Sequence, residues 1–176
     1  MTSPFLITAL PRSRTAWFAV ATSVGGKNCL HEPTATMEWS LLKTMWAAGV
    51  IDGVSDHGLA PRLPEILADI QPRTLIIDRP IKDVVASMRA YLEPQHTVSP
   101  AMIDRLWEVC EDLQTHLAIQ HPLIMRVRYG DLNSLSLMNV VFQHLGVEPR
   151  GLAQMMRMNV QSSLAYNMAL LRAKAA

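Results

Sequence analysis

The chain has 176 residues, 49% hydrophobic, 18% charged and 6% aromatic, and its 16 Lys plus Arg stand against 15 Asp plus Glu for a net charge of +1. That length implies one domain with a substantial core, and the charge balance excludes the basic footprint of a nonspecific nucleic-acid binder as well as an acidic tail. Cys29 and Cys110 are too few and too far apart for a disulfide framework or a zinc site, which fits a reducing cytosol. Phe5 to Leu10 falls far short of the ~20 apolar residues of a membrane span, and no basic segment precedes it. The expectation is a soluble cytoplasmic protein with no membrane or nucleic-acid partner.

In chain order, residues 5 to 9 (FLITA) read as a short buried strand. Pro11-Arg12-Ser13-Arg14 interrupts it, and Thr15 to Val24 reads as a buried helix that the Gly25-Gly26-Lys27-Asn28 turn ends. Cys29-Leu30 is a brief extension before His31-Glu32-Pro33. Met37, Leu41, Leu42, Met45 and Trp46 fall near helical spacing, so a helix is expected over Thr36 to Ala48. Val50 to Val54 is a candidate strand, Pro61 to Ile70 a helix, Thr74 to Ile77 (TLII) a buried strand, and Pro80 to Tyr91 a helix with proline near its first turn. Ala101 to Gln120 reads as a long amphipathic helix and Leu123 to Val127 as a last strand. Asn133 or Ser134 can cap a helix that Gly146 stops, and the segment from about residue 149 to Lys174 looks helical.

Short apolar strands alternating with helices predict an α/β fold. It is a three-layer sandwich around a mainly parallel sheet of about four or five strands, joined by right-handed crossovers. Ligands of such sheets bind beyond the carboxyl ends of the strands, so functional residues are expected just after positions 9, 30, 54, 77 and 127. After the first strand, Pro11-Arg12-Ser13-Arg14-Thr15-Ala16 leads into a helix amino terminus. Unpaired amides and the helix dipole favour an anion there. Arg12 and Arg14 can add charge-assisted bonds, and Ser13 and Thr15 can add hydroxyl donors. The same residues also describe a capped helix with two solvated arginines. After the fourth strand, Arg79 sits at the strand end and Ser87 two turns into the next helix. Both can face one anion if that helix runs beside the first loop.

These segments resemble the sulfotransferases. PRSRTAW resembles the family's 5′-phosphosulfate loop, P-[KR]-S-G-T-[TS]-[WL]. LIIDRPIKDVVASM resembles its 3′-phosphate segment, in which a serine follows an arginine by eight residues, as Ser87 follows Arg79. His31-Glu32-Pro33 lies where many bacterial members carry a catalytic acid or histidine, and Val127 to Leu132 (VRYGDL) resembles R-Y-E-D-L. Two positions depart from the pattern. Arg14 stands where the loop has glycine, a residue that reaches positive φ freely, and Gly130 replaces an acidic residue.

The resemblance implies a P-loop-like fold. It also implies 3′-phosphoadenosine 5′-phosphosulfate (PAPS) as nucleotide donor, no required metal, and a small-molecule acceptor whose hydroxyl or amine takes the sulfuryl group. By the same resemblance Arg12 stabilises the leaving phosphate, and Arg12, Ser13, Arg14, Thr15 and Ala16 hold the 5′ end. Arg79 and Ser87 hold the 3′-phosphate. A general base must deprotonate the acceptor: Glu32 is the first candidate, His31 the second, and His57 of Ser55-Asp56-His57-Gly58 a weaker third. His96, His116, His121 and His144 read as surface or helix residues, and Trp17, Trp39, Trp46 and Trp107 as core filler.

Two rival readings use the same residues. TLIID also resembles a Walker B strand and Arg14-Thr15 the Lys-Thr pair of a P-loop kinase, although Thr8 and Ser13 stand where both Walker A glycines belong. A noncatalytic nucleotide-binding protein on the same scaffold is the other.

Overall fold

The computed structural model describes residues 3–94 and 96–157. Five strands form one sheet: β1 (Phe5–Ala9), β2 (Cys29–His31), β3 (Gly53–Ser55), β4 (Arg73–Asp78) and β5 (Ile124–Arg128). They lie in the order β2-β3-β1-β4-β5, and every neighbouring pair is parallel. The helices are α1 (Thr15–Val24), α2 (Trp39–Ala47), α3 (Leu63–Asp69), α4 (Ile81–Leu92), α5 (Pro100–Leu117), α6 (Leu135–Leu145) and the short α7 (Leu152–Met155). None of the described helices is long and apolar enough to cross a membrane.

Alternate side chains of the strands feed two cores, one on each face, which makes the molecule a three-layer α/β sandwich. Phe5, Ile7, Ala9, Leu75 and Ile77 pack with Trp17 and Phe18 of α1 and with Val141 and Phe142 of α6. Leu6, Leu30, Val54 and Ile76 pack on the opposite side with Leu42 of α2, Ile66 of α3, Val84 of α4 and Leu113 of α5. In the first core, Trp17 meets Phe18 and Phe142 edge-on, with centroids 5.1 and 6.4 Å apart. Its indole Nε1 donates to Met155 O at 2.8 Å, which secures α7. Trp46 is likewise buried, but Trp107 is 40% exposed on α5 and fills no core.

Gly53 explains why β3 runs close against β1. The two strands pair Phe5 with Gly53, and a Cβ at Gly53 would come within 2.2 Å of the Phe5 ring. The expected strand over Val50 to Val54 is therefore displaced to Gly53–Ser55. Gly49 ends α2 at φ 69°, Val50 N–H donates back to Met45 O at 2.9 Å, and the chain joins the sheet only where Asp52 and Gly53 donate to Asn28 O. Likewise the helix expected from Thr36 begins at Trp39, because Pro33–Ala35 forms a 3-10 turn in which Pro33 O accepts from both the Thr36 and Met37 amides. A predicted helix start and stop hold. Ser134 Oγ accepts from Leu137 N at the start of α6, and Gly146 ends that helix at φ 69°. The helix expected toward Lys174 is represented by α7, and from residue 158 onward it lies outside the described residues.

Candidate functional site

β1 and β4 are adjacent, yet α1 leaves β1 toward one face and α4 leaves β4 toward the other. Their carboxyl ends therefore open a crevice at a topological switch point, where open α/β sheets bind ligands. Residues 10–14 form its centre. The β4 and β5 ends lie on one side, and the β3 and β2 ends on the other.

The central loop is wound around two left-handed residues, Arg12 at φ 61° and Arg14 at φ 66°. Neither is glycine, so each costs roughly 1–2 kcal/mol of backbone energy. Arg14 thus adopts a conformation that glycine would take without strain. What holds it there is a set of contacts to the far side of the sheet. Its guanidinium donates to Leu132 O at 3.2 Å and Asn133 Oδ1 at 2.8 Å, and lies 5.5 Å from the Tyr129 ring centroid. Arg14 is also the residue that begins α1, and no side chain caps that helix. The amides of Thr15, Ala16 and Trp17 are consequently left without an intrahelical partner. Ser13 is buried and turns its hydroxyl onto Pro11 O at 3.4 Å. Thr15 Oγ1 lies 3.3 Å from His31 Nε2, and Thr15 O accepts from Ser55 Oγ at 2.8 Å.

From the β4 end, Arg79 donates to Arg12 O and stacks on Tyr129 at 4.1 Å. One tyrosine ring thus carries two guanidiniums from different loops, a cation–π arrangement that holds like charges in one place. Arg12 itself lies over the ring of Tyr91 on α4, 4.5 Å from its centroid. Ser87 is half-buried one turn before Tyr91, on the same helical face. The Nε atoms of Arg12 and Arg79 are buried with no hydrogen-bond partner. A buried donor with no protein partner calls for an acceptor from outside the chain, a water or an anion.

Beyond Arg79 a cavity of about 690 Å³ occupies the carboxyl ends of β4 and β5, bounded by Leu10, Asp83, Leu117, Arg128 and Tyr129 among others. This is within the usual range for small-molecule sites, roughly 300–1,000 Å³. It takes in Arg79 but neither Ser87 nor the residues of the 12–16 loop, so the space lies beside the loop rather than in it. Asp78, the residue a Walker B reading would give to a metal, is instead ion-paired with Arg126 Nη1 at 3.1 Å.

On the other side of the loop sit the titratable residues. Register pairs His31 with Ser55, which brings the segments following β2 and β3 together. Glu32 Oε1 lies 3.5 Å from His31 Nε2 and 3.1 Å from His57 Nδ1. The hydrogen bond from His57 holds the Glu32 carboxyl below the usual carboxylate range, against burial. Burial lowers His31. It would lower His57 too, but the Glu32 bond and the charges of Glu32 and Asp56 outweigh it and leave His57 above its ordinary value. All three base candidates are therefore neighbours. Of the other histidines, His144 Nε2 donates to Thr74 O at 3.1 Å and His121 Nδ1 accepts from Leu123 N at 3.2 Å, both structural roles.

Sequence reasoning missed Tyr129 and Tyr91 as arginine platforms. The VRYGDL segment was in view as a motif, but nothing in it marks the aromatic as the residue on which two distant arginines meet.

Together the fold and the crevice define a three-layer α/β protein with Arg12, Arg14 and Arg79 gathered at the carboxyl end of a parallel sheet. No family model matches the chain, and no curated protein shows significant similarity to it.

Proposed function

We propose that the protein is a cytoplasmic, P-loop-like sulfotransferase that moves a sulfuryl group from PAPS to a hydroxyl or amine of a small-molecule acceptor. The observation that carries this reading is the convergence of Arg12, Arg14 and Arg79 on one strained loop at an uncapped helix amino terminus, with the Arg12 and Arg79 Nε donors left unpaired. In this reading the cavity beyond Arg79 receives the nucleoside end of the donor. Arg79, with Ser87 on the neighbouring helix, binds the 3′-phosphate. The α1 amides, Ser13, Arg14 and Thr15 hold the 5′ end, and Arg12 offsets the negative charge that grows on the leaving phosphate. Aligning donor and acceptor is most of the remaining work, since such transfers ask little covalent chemistry of the protein. The acceptor then approaches from the β2 and β3 side, where Glu32, His31 and His57 are gathered to take its proton.

Calorimetry with adenosine 3′,5′-bisphosphate, set against ATP plus magnesium, tests the reading. Metal-independent binding of the bisphosphate is expected. Each of Arg12→Ala and Arg79→Ala removes a charge-assisted interaction of about 1.5–3 kcal/mol, which is roughly a 10- to 150-fold loss of affinity. Magnesium-dependent ATP binding with no bisphosphate binding would refute it in favour of a phosphotransferase.

A further inference from the structure

Resting on the sulfuryl-transfer reading, we propose that Glu32 and His57 form a carboxylate–imidazole dyad in which His57 Nε2 takes the acceptor's proton and Glu32 is a positioning residue rather than the base. The contact that defines the dyad is the 3.1 Å approach of His57 Nδ1 to Glu32 Oε1. An ionised carboxylate only accepts, so Nδ1 carries the hydrogen and the lone pair of the neutral ring is left on Nε2. A base oriented by a third group is the recurring logic of activated nucleophiles.

The pair is built rather than accidental. Asp56 is buried and accepts from Gly58 N at 2.7 Å, from Thr34 N at 3.0 Å and from Thr34 Oγ1 at 2.7 Å. These bonds tie the segment after β3 to the segment after β2, the two stretches that carry His57 and Glu32. A Cβ at Gly58 would meet Thr34 Oγ1 at 2.6 Å, so the close approach needs glycine. Glu32 itself sits at φ 45°, a left-handed backbone that a non-glycine residue keeps only when its surroundings impose it, as at functional sites. The dyad is also adjacent to the anion loop. β3 is the immediate neighbour of β1, with Asp56 N donating to Ile7 O at 2.9 Å, and Thr15 of the loop touches His31. The dyad thereby borders the loop that holds the donor's 5′ end in the sulfuryl-transfer reading.

The charged and titratable groups that meet His57 are Glu32, Asp56 and His31. Their balance separates the roles. The His57 bond makes Glu32 a weaker base than an ordinary carboxylate, whereas against burial that bond and the neighbouring carboxylates make His57 a stronger base than an ordinary imidazole. In the step, the acceptor O–H or N–H bond breaks and its proton goes to His57 Nε2. The freed electron pair of the acceptor forms the new bond to sulfur. The bond from sulfur to the 5′-phosphate oxygen breaks, and that oxygen keeps its electron pair in adenosine 3′,5′-bisphosphate. His57 then returns the proton to solvent.

The test uses full-length protein labelled with ¹⁵N-histidine, in wild type, His57→Gln and Glu32→Gln forms. Imidazole NMR is expected to find neutral His57 protonated on Nδ1 in wild type and on Nε2 in Glu32→Gln. Turnover is followed as release of adenosine 3′,5′-bisphosphate from PAPS with a mixture of small alcohols, phenols and amines. His57→Gln is expected to lower kcat by about 10²–10⁴-fold with bisphosphate affinity unchanged, and Glu32→Gln to move the acidic limb of the kcat profile to lower pH. Wild-type His57 protonated on Nε2, or turnover in His57→Gln within about threefold of wild type, overturns the dyad. A wild-type protein that carries the Nδ1 proton but binds no bisphosphate overturns the sulfuryl reading instead, and with it the dyad's part in transfer.

Discussion

Arg14 is the residue at which the loop's geometry can be weighed most directly. It occupies a left-handed conformation at φ 66° and makes three contacts through its guanidinium, to Leu132 O, Asn133 Oδ1 and the Tyr129 ring. Substitution by alanine or by glycine removes those contacts equally, so the difference between the two variants isolates the backbone. Alanine keeps a left-handed penalty of roughly 1–2 kcal/mol. Glycine relieves it but brings back about 0.5–1 kcal/mol of unfolded-state entropy. The net expectation is that Arg14→Gly is more stable than Arg14→Ala by about 0.5–1 kcal/mol. The preference for glycine over alanine at a residue that begins a helix has the same sign. With a urea slope of about 2 kcal/mol/M, the unfolding midpoint of the glycine variant lies roughly 0.3–0.5 M higher at an unchanged slope. Equal midpoints, or a higher one for alanine, would refute a left-handed Arg14 and with it the account of how this loop is held.

Two further perturbations address the sheet and the dyad. Gly53→Ala puts a methyl group into the buried Phe5 ring at the register that joins β3 to β1. Overpacking of that kind costs typically ~1–3 kcal/mol, so a clear drop in the thermal midpoint is expected, and an unchanged one would show that the strands do not meet there. Glu32→Gln should destabilise the protein in a pH-dependent way. His57, raised in the fold, contributes stability that is complete below its ordinary value and lost as pH rises through its folded value. Glu32, lowered in the fold, contributes stability that is present above its ordinary value and lost as pH falls through its folded one. The gap between wild type and variant in urea unfolding is therefore widest between the ordinary values of Glu32 and His57, near about pH 5.5, and narrows as pH rises through the folded His57 value. A gap that is constant or grows across that range contradicts the pairing.

How much of this was legible in advance follows from the range of the interactions concerned. The strand at Phe5–Ala9 and the strand at Arg73–Asp78 announce themselves because both faces of a central parallel strand are buried, so their middles, Phe5 to Ile7 and Leu75 to Ile77, are apolar runs. Helix α6 is equally plain, since Ser134 and Gly146 act within a turn of its ends. The start of β3 was not readable. Val50 and Ile51 have strand-like side chains, but the Gly49 turn and the bonds to Asn28, more than twenty residues away, decide where pairing begins.

The same distinction governs the site. The loop arginines are local and visible, because a strand, a polar turn and a helix start in succession require an anion-friendly end. Ranking Glu32 over His57 as a base candidate is a local reading too, and it has no access to the contact between them. Those two residues are partners only because β2 lies beside β3 with His31 opposite Ser55. A parallel pairing of short strands leaves no mark in the composition of either. The tyrosine that joins Arg14 to Arg79 is hidden for the same reason: it comes from the end of β5, at the far side of the sheet from the dyad. A sequence with a net charge of +1 still gathers three arginines at one crevice, because aromatic rings and main-chain carbonyls from three separate strand ends absorb their mutual repulsion. Only topology brings those ends together.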